Sequence, residues 1–83
     1  MTTITNAQRI LKLLKDKQES TAAHMKIAMT SRENLPPEKI VELDLAQRIA
    51  CKLAAKADVA YDAALEEAAA AGMEQWLLQE VEQ

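Results

Sequence analysis

The chain has 83 residues, 49% of them hydrophobic and 28% charged, with a net charge of −3, one glycine, two prolines and no phenylalanine. A chain this short holds one domain at most and builds a small core, which excludes a large enzyme and leaves room for a partner to share in its stability. The lone cysteine, Cys51, excludes an internal disulfide and points to a reducing cytoplasmic setting.

Alanine, leucine, glutamate, glutamine and lysine dominate, and strand signals are missing, so the predicted class is all-α. The start, "MTTITNAQRI", lacks the basic-then-apolar layout of a signal peptide, and no apolar run approaches the roughly 20 residues of a membrane span. Thr5 or Asn6 can cap a first helix predicted over residues 6–34. Its heptad seam reads Ile4, Ala7, Leu11 and Leu14, turns polar at Gln18 and Thr21, and resumes at Met25 and Ala28.

At "NLPPEK" the helix must stop, because Pro36 and Pro37 lack the N–H that a continuing helix needs and Pro36 pushes Leu35 out of the helical region. The turn is placed at 35–36. Proline fits the first turn of a new helix and Glu38 meets its positive end, so a second helix is predicted over 37–71. Its seam is Leu43, Ala46, Ala50, Leu53, Ala57, Ala60 and Ala64.

Gly72 ends that helix, since glycine takes a left-handed cap without steric cost. Met73, Trp76, Leu77 and Val81 then form one face of a short third helix, 73–81. Two roles are open to it. It turns back over the hairpin's open end, or Trp76 anchors a partner, as tryptophan does at many interfaces.

The predicted architecture is therefore an antiparallel two-helix hairpin, a short helical coiled coil, with a third helix behind it. Facing residues whose numbers add up to about 71 pair large with small, as interdigitating helices require: Leu11 with Ala60, Leu14 with Ala57, Gln18 with Leu53. Charge supports the fold-back. All ten lysines and arginines lie in residues 1–56 with six acids, whereas residues 57–83 carry seven acids and no base. The same register brings Arg9 to Asp62 and Lys12 to Asp58.

Outside these seams remain Ile10, Leu13, Ile27, Ile40, Leu45, Ile49, Val59, Tyr61 and Leu65, which imply a second binding surface. Ile10, Leu13, Ile49, Tyr61 and Leu65, with Trp76 and Leu77, are the predicted partner-facing residues. The surface would take either a second copy, making a four-helix bundle, or a different protein.

Chemistry-bearing patterns do not rise above background. His24 is the sole histidine and cannot complete a tetrahedral zinc site with one cysteine, while the acidic stripe Asp58, Asp62, Glu66 lacks the Glu-x-x-His pairs of a bundle di-metal site. No phosphate loop or nucleophile–base set occurs, so no metal, cofactor, catalytic residue or enzymatic activity is expected. Arg48, Lys52 and Lys56 form a basic stripe that would suit phosphates. The overall acidity and near absence of aromatic residues argue against nucleic acid as the principal partner.

The opening "MTTIT", a long first helix, the break at "NLPPEK" and a second helix through "LAQRIACKLAAKADVAY" resemble the small E-type co-chaperones of type III secretion needle proteins. That resemblance implies a cytoplasmic helical hairpin which, with a tetratricopeptide-like chaperone, keeps a needle subunit soluble before export. It covers residues 1–66 and is one of layout. "KQESTAAHM", "ELDLAQ" and "KADVAYDAAL" are in turn similar to stretches of the dimeric four-helix RNA-binding regulator of plasmid copy number, and the alternative is accordingly a small dimeric phage or plasmid regulator that binds RNA or DNA or inhibits a host protein. Lys12, Lys15 and Lys26 would then face RNA.

Overall fold

Thr5 opens the first helix in the computed structural model, which describes residues 2–82. Its hydroxyl accepts from Gln8 N–H at 3.3 Å while Gln8 Oε1 accepts from Thr5 N–H at 3.0 Å, a reciprocal cap for α1, Asn6–Ala28. A second helix, α2, spans Pro37–Ala71, and α3 spans Met73–Leu78. The two long helices pack together antiparallel.

α1 ends at Ala28, not near residue 34, because short polar side chains beyond it take over the backbone groups. Thr30 donates its hydroxyl to the Lys26 carbonyl at 2.9 Å, the Ser31 hydroxyl accepts from Glu33 N–H at 3.3 Å, and Asn34 sits at a left-handed φ of 61°. The turn expected at 35–36 is thus the longer connection 29–36. Arg32 ties it down: its guanidinium donates to Gln47 Oε1 at 2.8 Å and pairs with Asp44 at 3.3 Å.

The longer connection resets the register. The cross-helix pairs are Arg9–Glu67 and Lys17–Asp58, each at 2.8 Å, and Arg32–Asp44, so facing numbers add up to 75 or 76 rather than 71. Arg9–Asp62 and Lys12–Asp58 are replaced accordingly. On α1 the packed stripe is Ile10, Leu13, Lys17, Ser20, His24 and Ile27, one position earlier than the apolar spacing suggests, with the expected seam residue Leu14 also half-buried beside it. Leu11 is 64% exposed and Met25 also stands in solvent. On α2, Leu43, Ala50, Ala57 and Ala64 face inward as expected, whereas Leu53 and Ala60 do not.

Gly72, at φ 88° and ψ 112°, turns the chain where a side chain would be strained. α3 starts on its carbonyl, which accepts from Trp76 N–H at 2.9 Å. Trp76 is 1% exposed and forms the buried core with Ala64 and Ala68, against which Ile10, Leu13 and Leu77 pack. This segment rotates α1, because the indole calls for Ile10 and Leu13 beside it.

Two strands that no periodicity announced complete the end of the molecule. β1 (Thr3–Thr5) and β2 (Glu80–Glu82) pair antiparallel with Ile4 opposite Val81, and Asn6 N–H donates to the Gln79 carbonyl at 2.8 Å. Val81 therefore belongs to a strand and not to the third helix. The molecule measures 55 × 27 × 13 Å. Its thinnest dimension is that of a single layer of helices.

Candidate protein-docking surface

α2 must supply one stripe to the hairpin, and its opposite face carries more apolar bulk than solvent favours. Val41, Leu45, Ile49 and Leu53 recur every fourth residue, and each is 53–59% exposed. Successive members turn by about 40° around the helix, so they form a diagonal ridge that starts on the outward face and winds toward the groove between α1 and α2. Val59 lies exposed further along. Arg48, Lys52 and Lys56 are also exposed and flank the ridge with positive charge.

The residues predicted to face a partner divide. Ile49 stands in solvent on the ridge. Ile10, Leu13 and Leu77 instead pack half-buried against the core, and Trp76 is its centre, so Trp76 anchors the hairpin itself and is not presented to a partner. Tyr61 is half-buried with the Lys17 ammonium 4.9 Å from its ring centroid, and Leu65 is half-buried beside the seam. The displaced seam explains the redistribution: residues that looked left over in α1 are the seam.

Val41, Leu45 and Leu53 complete the ridge; Leu45 is one of the apolar residues left outside the predicted seams, whereas Val41 and Leu53 are not among them. Their i, i+4 recurrence was the available signal, and Leu53 was spent on a seam it does not join.

Half-buried polar side chains along the seam make specific contacts. The Lys17 ammonium donates to Asp58 Oδ1 at 2.8 Å, and this hydrogen bond raises its pKa above the ordinary 10.5 against the opposing pull of desolvation. Arg9 lies over the Trp76 ring, 5.3 Å from its centroid, while pairing with Glu67. Ser20 satisfies its hydroxyl within α1, donating to the Asp16 carbonyl at 2.6 Å.

His24 and Cys51 border one shallow depression with Asp44, Gln47 and Arg48. Among the described residues no group of three or more His, Cys, Asp or Glu is arranged to hold a metal ion, and no helix is long and apolar enough to cross a membrane. Comparison of the chain with protein families, curated proteins and solved structures finds no match.

Proposed function

We infer that this protein acts by binding another protein, not by catalysis, and that α2 is the element that does so. The supporting observation is the ridge Val41, Leu45, Ile49, Leu53, four large apolar side chains more than half exposed on one helix. Covering such side chains contributes about 1–2 kcal/mol each. A partner helix whose own ridges interlock with an i, i+4 ridge crosses it at about −50°. The basic flank of Arg48 and Lys52 favours an acidic rim on that partner.

In its specific form the proposal is a cytoplasmic co-chaperone that joins a tetratricopeptide-like chaperone to keep a type III secretion needle subunit soluble. Its support is the layout of two helices broken at "NLPPEK" together with an apolar face offered to a partner. The deciding experiment is co-expression with the tetratricopeptide chaperone and needle subunit of the same organism. Leu45→Glu should abolish co-purification, while Arg48→Ala with Lys52→Ala should leave most of it. If that double variant instead abolishes a salt-sensitive association with RNA, the regulatory reading replaces the chaperone one.

A further inference from the structure

Globular domains bury their core between at least two layers of secondary structure. At 13 Å thick, this molecule supplies one. One of its broad faces carries a groove of about 360 Å³ between α1 and α2, floored by Leu13, Leu53, Ala57 and Ala60. The two walls differ in charge. α1 contributes Asp16 and Glu19, and α2 contributes Lys56.

We propose that a second copy of this chain closes the groove, related to the first by a two-fold axis parallel to the hairpin's length. Such an axis lays α1 of each copy over α2 of the other without changing height along the rod. The observed register sets what meets: Glu19 is level with Ala57, so it comes opposite Lys56 of the second copy, and the contact occurs twice. The apolar residues match in the same arrangement. Leu53 meets Ala23 of the other copy and Ile49 meets Ile27, large against small and branched against branched, as facing layers of a bundle require.

A two-fold axis perpendicular to the hairpin would instead stack α1 on α1 and α2 on α2, an arrangement with no contact between Glu19 and Lys56 of the second copy. The Glu19–Lys56 contact is therefore the mark of the parallel axis. A face 55 Å long and 27 Å wide is large enough to bury the roughly 800 Å² per partner of a stable dimer. Val41, Leu45 and Val59 remain outside this contact, whereas Ile49 and Leu53 belong both to it and to the ridge proposed above, so a second copy and an outward partner compete for that half of the ridge.

The test is sedimentation equilibrium of the full chain with paired charge reversals at exposed positions. The wild type should have twice the 9.2 kDa monomer mass. Glu19→Lys and Lys56→Glu should each weaken self-association by about tenfold or more, because two attractive contacts become repulsive in each homodimer. An equimolar mixture of the two should restore the dimer, since both contacts are again between opposite charges; this restoration also shows that both variants are folded. A monomer mass at every concentration would overturn the proposal, as would a dimer indifferent to both reversals or a mixture no stronger than its components. Leu45→Glu should leave the mass unchanged, which keeps this result separable from loss of the outward partner.

Discussion

Asn6 and Trp76 meet in the interior from opposite ends of the chain: Asn6 Nδ2 donates to the Trp76 carbonyl at 2.9 Å, and the two residues are 2% and 1% exposed. This contact, the Asn6–Gln79 backbone bond and the β1–β2 pairing fasten the open end of the hairpin. Trp76→Ala removes the largest side chain of a core otherwise made of alanines, at about 3–5 kcal/mol. In a domain of this size such a loss is a large part of the total. Urea unfolding followed by circular dichroism should show the midpoint fall sharply. Trp76→Phe should cost much less, since it keeps most of the volume and removes an indole N–H that is buried without a partner among the described residues.

Gly72→Ala separates backbone strain from crowding. Nothing lies within 4 Å of a Cβ at this position, so the cost comes from φ 88° alone, about 1–3 kcal/mol. The variant relieves that strain by continuing α2 through residue 72, which lifts Trp76 out of its site. Because Trp76 is the only tryptophan, its fluorescence reports this directly. A red-shifted emission with helix content unchanged or raised is the expected result; an unshifted emission would mean that the turn tolerates alanine.

The hairpin was legible in the sequence because prolines and glycine act locally: Pro36, Pro37 and Gly72 delimit α2 at the residues expected, 37–71. The C-terminal turn-back was one of the two readings left open for Trp76, and the inward one is realised. The seam was not legible. Leu11 and Met25 outweigh Lys17, Ser20 and His24 on any hydrophobic scale, yet the polar residues hold the seam positions, because Asp58 and Tyr61 receive Lys17 and Trp76 claims Ile10 and Leu13. Those contacts span some forty to seventy positions and leave no local periodicity. The three-residue strands are equally silent in sequence, since neither is long enough to alternate.

Leu13→Ala and Leu11→Ala distinguish the two seams in one comparison. Leu13 packs against the Trp76 core, and its truncation should cost about 2 kcal/mol or more. Leu11 is exposed, and its truncation should fall within about 0.5 kcal/mol of the wild type. Chemical denaturation of both variants under identical conditions decides the matter. A reversed order would restore the seam through Leu11 and Leu14.

Lys17 predicts an alkaline limit to stability. Its ammonium is bonded to Asp58 at 2.8 Å and faces the Tyr61 ring, and this raises its pKa above 10.5 in the folded chain. A group whose pKa is raised by folding binds its proton more tightly when native, so its contribution is fully present below the unfolded pKa of about 10.4 and disappears as pH climbs through the folded value. Lys17→Met keeps the apolar stem and removes the titrating charge. Other groups ionise in the same range, so the informative quantity is the difference between wild type and variant. Urea midpoints taken at about pH 8 and again at about pH 11–12 should show the wild-type advantage shrinking at the higher pH. An advantage that persists unchanged would assign Lys17 to packing through its stem and the Tyr61 ring, with the ion pair contributing nothing measurable.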